Sequence, residues 1–216
     1  RKLFDTDSEP FSVIAKSNLP AQATPFVGRQ HELLELGGLL QDAALRLITL
    51  IAPGGMGKTR LAIEAGQHAR RYFDESVYLV ELAALNNATS IVPAIADALN
   101  YTFQNDERST KQQLLDYLAN KTCLLILDNY EHVMDGAGLV SDILAVAPNV
   151  QILVTSRQRL MESGETLFHL SGMDFPHWQT TDDPMDFAAV QLFINSAKRI
   201  VSSFELNDQN LTDVIE

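Results

Sequence analysis

Three glycines, a lysine and a threonine crowd into one eight-residue stretch of this 216-residue chain, "APGGMGKT" at positions 52–59. Gly54, Gly55 and Gly57 carry no Cβ, so successive backbone N–H groups can turn toward one centre and form a nest for an anion. A helix starting near Lys58 would add its partially positive end. Lys58 contributes a full charge and Thr59 a hydroxyl suited to Mg2+. The stretch fits the phosphate-loop pattern G-x-x-x-x-G-K-[ST], with Ala52 in place of the leading glycine. The implied chemistry is capture of a nucleotide's polyphosphate. Pro53, Gly54, Gly55, Met56, Gly57, Lys58, Thr59 and the adjoining Arg60 form the expected contact set. A glycine-rich turn with no ligand is the competing account, and it does not explain a strand before the loop and a helix after it.

Two further stretches supply partners. "CLLILDNYEH" runs through apolar residues into Asp128, whose carboxylate could hold the Mg2+ together with Thr59, or could cap the following helix. The next residue, where many phosphate-loop ATPases place an acid to polarise the attacking water, is Asn129, which cannot accept a proton. Glu131 could serve if its loop turns inward, or it could be a solvated surface charge. "ILVTSRQRL" sets Arg157 just past an apolar run, at the sheet edge where open α/β folds bind ligands. A guanidinium there could reach the γ-phosphate, or it could make a structural ion pair. Arg159 reads as a surface residue. "NKTC" at 120–123 precedes the metal-binding strand and lacks the aspartate of a guanine-reading motif, so adenine is the expected base.

Five short apolar bursts must position these residues: 45–51, 76–82, 122–128, 150–156 and 165–170. The first, third and fourth are apolar at nearly every position, as strands covered on both faces require. Helical patterns alternate with them. They include Leu33, Leu34, Leu36 and Leu40 near the start, then Leu61, Ala62, Ala65 and Ala69, and later Val140, Ile143, Leu144 and Ala147. "SIVPAIADAL" and "TKQQLLDYL" start with Ser/Thr caps. The alternation predicts an α/β fold with a parallel sheet between helix layers. Residues 1–22 read as a linker or arm and 23–172 as a phosphate-loop nucleotide-binding domain. Residues 173–183 read as a connector and 184–216 as the start of a truncated helical domain. In that helical stretch Phe187, Val190, Leu192, Phe193, Ala197 and Ile200 form the apolar set, and Trp178 in the connector reads as a packing anchor.

Composition excludes several classes. Hydrophobic content of 46% and charged content of 20% describe an ordinary globular chain. A formal net charge of -12 argues against nucleic acid and anionic membrane as direct partners. The single cysteine, Cys123, lies in an apolar run and reads as a buried thiol of a reducing, cytoplasmic compartment. The five histidines show no zinc spacing.

Together "FVGR", "APGGMGKTRLA", "LLILDNYEH" and "ILVTSRQRL", followed by "GETLFHL", resemble the NB-ARC-type modules of the STAND class of AAA+ ATPases, as in large bacterial signalling and transcriptional regulators. The likeness covers about residues 20–216. It implies a five-stranded sheet of order 2-3-4-1-5 in a three-layer arrangement, with a helical domain following. It assigns Val27, Gly28 and Arg29 to the adenine and ribose, and it implies a switch between ADP-bound and ATP-bound forms with slow Mg2+-dependent hydrolysis. The implied partners are effector and sensor domains in the same longer chain, with nucleotide-dependent self-assembly. Two other readings stand beside it. A small-molecule kinase would need an Arg-rich lid, and residues 84–121 contain Arg108 alone. The other is a non-catalytic scaffold that retains ADP.

Overall fold

Strands form where the apolar bursts predict them. The computed structural model describes residues 17–74, 76–176, 183–207 and 210–211. The sheet comprises β1 (Leu47–Ile51), β2 (Val77–Glu81), β3 (Cys123–Asp128), β4 (Val150–Ser156) and β5 (Glu165–His169). Its order is β2-β3-β4-β1-β5 and every pairing is parallel, as the family resemblance implied. The helices are α1 (Gln30–Gln41), α2 (Lys58–Ala69), α3 (Ile91–Ala98), α4 (Thr110–Leu118), α5 (Gly138–Val146) and α6 (Ala188–Ile200).

Side-chain alternation along each strand feeds two separate apolar layers. Leu124 and Ile126 of β3 join Ile48 and Leu50 of β1 under α1 and α2. Cys123, Leu125 and Leu127 face the opposite way, with Val150, Ile152 and Val154 of β4, under α3, α4 and α5. β3 and β4 are buried at every position, which accounts for their mainly apolar runs, with buried polar residues at Gln151 and at the carboxyl ends, Asp128, Thr155 and Ser156. α2 approaches the sheet closely at Gly66, where a Cβ would lie 2.6 Å from Ile126 Cδ1. The tightness of that crossing fixes the phosphate loop at the helix's other end.

The β2 edge does not face solvent bare. Ser17 makes an isolated parallel bridge with Val77. The Asn18 side chain both donates to the Leu79 carbonyl (2.8 Å) and accepts from the Leu79 N–H (2.6 Å). A side-chain amide thus satisfies a backbone pair that an edge strand otherwise leaves open. The later part of the N-terminal arm is therefore laid along the sheet.

Local details depart from the sequence reading. Ser90 makes no side-chain cap on α3, because Asn87 caps the preceding turn by accepting from the Ser90 N–H. α4 is capped one residue earlier than Thr110, by Ser109, which accepts from the Gln112 N–H. Leu34 is 76% exposed while Leu36 and Leu40 are buried, since it sits on the outer side of α1. In α6, Val190 and Ile194 are buried but Leu192, Phe193 and Ile200 are exposed. Trp178 and the helix expected at the end of the chain lie outside, or largely outside, the described residues.

Candidate functional site: a phosphate loop at the carboxyl edge of the sheet

The carboxyl ends of β1, β3 and β4 meet in register. Ile51 of β1 pairs with Ser156 of β4, and Leu127 of β3 pairs with Val154, which sets Asp128 beside Thr155. The chain leaves β1 through residues 52–57 and enters α2 at Lys58. Gly55 (φ 79) and Gly57 (φ 85) hold left-handed backbone, which glycine adopts without Cβ strain. Ala52 is buried and has no positive φ, so an alanine costs nothing where the motif has glycine. A Cβ at Gly54 would make only ordinary contact with the Arg157 guanidinium, 3.4 Å from Nη2.

The loop has the attributes of an anion cradle. Among the described residues, the N–H groups of Gly54, Gly55, Met56 and Gly57 donate to no other backbone group. Lys58 is 6% exposed, and its ammonium donates to the carbonyls of Ala52 (2.8 Å) and Pro53 (3.0 Å). These bonds draw the charge back under the loop that it would serve. The Thr59 hydroxyl donates to Asp128 Oδ1 at 2.7 Å, so the two expected metal-holding side chains meet. Thr59 and Asp128 thus fit a hard cation that takes oxygen ligands.

A cavity of about 370 Å³ opens over the loop, lined by Gly54–Arg60 with Asn129, Glu131 and Arg157. Glu131 is directed into it rather than into solvent, its side chain only 10% exposed. The turn after β3 explains this. Asn129 takes a left-handed conformation (φ 59, ψ 46), and Tyr130 is fully buried, its hydroxyl donating to the Gly136 carbonyl at 2.9 Å. Burial pushes the Tyr130 phenol well above its usual range. The turn so pinned brings Glu131 beside Arg157, at 3.1 Å between Glu131 Oε1 and Arg157 Nε. The Arg157 side chain is 62% exposed. Arg159 is exposed, as expected.

A second cavity, about 310 Å³, continues past Gly55, Met56 and Gly57 and is lined mainly by apolar side chains. Val27 and Arg29 border it, together with Pro25 and Phe26. Arg29 directs its guanidinium away, to Glu32 (2.5 Å) and the Ser171 carbonyl (2.6 Å). Burial raises the Glu32 pKa, but the Arg29 bond, a backbone hydrogen bond and the nearby charges of Arg29 and His31 together hold the carboxyl below the ordinary value. Gly28 (φ 67) does not line the cavity. It is the close-approach point to α6, where a Cβ would fall 2.6 Å from Ala188 Cβ. Arg60 borders both cavities, yet its guanidinium bonds the Thr24 hydroxyl (3.1 Å) and carbonyl and so straps the arm to α2.

Sequence reasoning missed seven contributors. Thr24, Pro25, Phe26, Leu61, Met173 and Leu192 wall the apolar cavity. Leu61 carried a helical signal only, and Met173 and Leu192 arrive there through tertiary closure, which leaves no local pattern. Thr155 had a visible signal as a hydroxyl ending the apolar run of β4. It is fully buried, donates to Asp128 Oδ1 at 2.6 Å and accepts from the Asn129 N–H at 3.0 Å. Arg108 is held by Asp106 (2.5 Å) and Asp116 (2.9 Å) and lines neither cavity.

With this geometry established, comparison with known proteins identifies the class. The NB-ARC domain family matches residues 30–166, and the chain belongs to that family. It is thus an NB-ARC module built around a phosphate loop. An uncharacterized protein of Mycobacterium tuberculosis is 31% identical over 194 residues, covering 89% of this chain and 46% of that protein. A candidate HTH-type transcriptional regulator of the same organism is 33% identical over 172 residues, covering 79% of this chain and 18% of the regulator. The chain therefore spans less than half the length of these relatives. Among solved structures, the ORC2 protein of Aeropyrum pernix superposes with a TM-score of 0.52 at 18% identity, covering 69% of this chain and 50% of that one. That likeness bears on the fold alone. No helix among the described residues is long and apolar enough to cross a membrane.

Proposed function

We propose that this chain is the ATP/ADP-binding switch module of a larger signalling or transcription-regulating protein, with slow Mg2+-dependent hydrolysis. The observation that carries the reading is the pairing of Glu131 with Arg157 over the phosphate loop. A bound nucleotide would supply the phosphoanhydride and its charge. Gly54–Gly57 amides and Lys58 would hold the phosphates, Thr59 and Asp128 the Mg2+, and the cavity bounded by Val27, Met56 and Leu192 the base. Arg157, exposed beside Glu131, would respond to a γ-phosphate. Glu131, an acceptor aimed into the cavity, would orient and deprotonate water where Asn129 cannot.

Such a switch works only if ATP and ADP favour different conformations by different affinities. α6 supports this, because Leu192 walls the base-side cavity while Gly28 touches Ala188. Nucleotide and the following helical segment therefore share a boundary. We take residues 23–172 as the nucleotide-binding domain, 173–183 as connector and 184–216 as the start of a helical domain. A cytoplasmic location, effector and sensor domains in the same longer chain, and nucleotide-dependent self-assembly belong to this reading, with no direct contact to nucleic acid by these residues. The test is calorimetry of ADP and of a non-hydrolysable ATP analogue with Mg2+, alongside phosphate release in the intact protein. Tight binding of both with slow release is expected. Binding of ADP without phosphate release or a conformational difference would instead mark a scaffold.

A further inference from the structure

We propose that Thr155 is a positioning residue that presets Asp128 for Mg2+ and couples the metal site to the turn carrying Glu131. The inference rests on the nucleotide-binding reading above. The Thr155 hydroxyl is saturated in both directions. It gives its proton to Asp128 Oδ1 at 2.6 Å and takes the Asn129 N–H at 3.0 Å. The residue is fully buried at the end of β4, with Val154 before it and Ser156 after it also buried. No neighbouring water is needed to explain its contacts.

Two hydroxyls, from Thr59 and Thr155, converge on the same oxygen of Asp128. That convergence fixes the carboxylate's rotation. Oδ1 carries both hydroxyl donors, so the other oxygen would be the one to face the metal. A carboxylate free to rotate would spend part of its time with neither oxygen aimed there. Groups that hydrogen-bond a metal-holding side chain typically alter metal affinity by about 10- to 100-fold when removed. The second bond acts on the backbone. Asn129 is left-handed, a conformation asparagine tolerates better than most residues. Its N–H is satisfied by Thr155 rather than by a strand neighbour. The hydroxyl thereby anchors the first residue of the turn that delivers Glu131 to the cavity.

The arrangement makes the β4 hydroxyl a physical link between two functions. Rotation of Asp128 and orientation of the Asn129 turn share one atom, Thr155 Oγ1. A valine at this position would preserve shape and remove both bonds. A serine would keep the hydroxyl and lose only a methyl group.

The experiment measures ADP affinity of the intact protein by calorimetry, with Mg2+ and with the metal chelated, for the wild type and for Thr155→Val, Thr155→Ser and Thr155→Ala. The readout is the gain in ADP affinity that Mg2+ confers. Thr155→Val and Thr155→Ala are expected to lose about tenfold or more of that gain, with affinity in chelator unchanged within about twofold. Thr155→Ser is expected to keep it. Serine and alanine differ at this position by the hydroxyl alone, so their comparison decides the matter even where the valine protein does not fold. A purely structural role would lower the melting temperature of all three without separating serine from alanine. A wild-type Mg2+ gain retained in Thr155→Ala, or lost equally in Thr155→Ser, overturns the assignment and leaves the switch reading standing. Absence of ADP binding by the wild type overturns the switch reading and this one with it.

Discussion

Arg157 Nε stands 3.1 Å from Glu131 Oε1, yet both oxygens of that buried carboxylate lack a hydrogen-bond donor. The contact is one of charge without aligned N–H geometry. Glu131 is the buried partner and Arg157 the exposed one. Removing the arginine leaves the buried carboxylate without its counter-charge, so Arg157→Ala should cost more than the roughly 1 kcal/mol of an exposed pair in urea unfolding. Its larger effect should be on ligand choice. A non-hydrolysable ATP analogue is expected to lose about tenfold or more in affinity while ADP keeps its own. Equal loss for both nucleotides in calorimetry would show that Arg157 does not read the terminal phosphate.

Glu131→Gln keeps the size and buried position of the side chain and removes its basicity. Phosphate release should fall by about 100-fold, with ADP affinity within about threefold of wild type. A single-turnover assay with radiolabelled ATP separates chemistry from product release. Unchanged turnover would return Glu131 to the role of a counter-ion for Arg157.

Lys58→Ala removes the only ammonium beneath the loop among the described residues and frees the carbonyls of Ala52 and Pro53 from it. Charge-assisted bonds of this kind contribute about 1.5–3 kcal/mol each, so ADP and ATP affinities should both fall by about 100-fold or more. Calorimetry reads this directly, and circular dichroism checks that the fold persists. Undiminished affinity would mean that the polyphosphate does not sit where the loop suggests.

The parts of this molecule legible in the sequence are those with short-range causes. β3 and β4 declare themselves because burial on both faces favours apolar residues at most of their positions, and the phosphate loop because its glycines and lysine answer one local demand. Asp128 and Arg157 could be placed because strand ends in a parallel sheet share an edge. Glu131 was ambiguous, since its direction depends on the left-handed backbone at Asn129 and on the buried Tyr130 anchor. The base-side wall was hidden for a related reason. Leu192 and Met173 come to the cavity beside Val27 only after distant segments pack together, and the helical period that marks Leu192 as apolar does not say what it faces. Arg29 and Arg60 show the opposite case, where the motif position was visible but the guanidinium was drawn to Glu32, Ser171 and Thr24 instead.

Cys123 offers a test of burial by pH. It is 2% exposed at the start of β3, and removal from water pushes its thiol up to about 12. A raised folded pKa means that the unfolded chain ionises first, near 8.5. The contribution to stability is therefore complete below about pH 8.5 and declines as pH rises toward 12. Unfolding midpoints should drop across that interval more in the wild type than in Cys123→Ala. Iodoacetamide at pH 8 should label the native protein far more slowly than the urea-unfolded one, as mass spectrometry would show. Equal labelling rates would contradict the burial of β3.

Gly66→Ala sets two effects against each other on α2. Alanine favours a helix interior over glycine by about 1 kcal/mol. The added methyl would come within 2.6 Å of Ile126 Cδ1 and 3.3 Å of Val77 Cγ1. Ile126 and Val77 are both fully buried, so neither side chain has free space to move into. Overpacking of this kind costs about 1–3 kcal/mol, and strain should win by about 1 kcal/mol. Because α2 begins at Lys58, a helix pushed outward would also move Lys58 and Thr59 relative to Asp128. Urea unfolding should therefore show reduced stability, and ADP affinity with Mg2+ should fall alongside it. A stabilised protein would mean that α2 stands farther from the sheet than Gly66 now permits, and with it the phosphate loop.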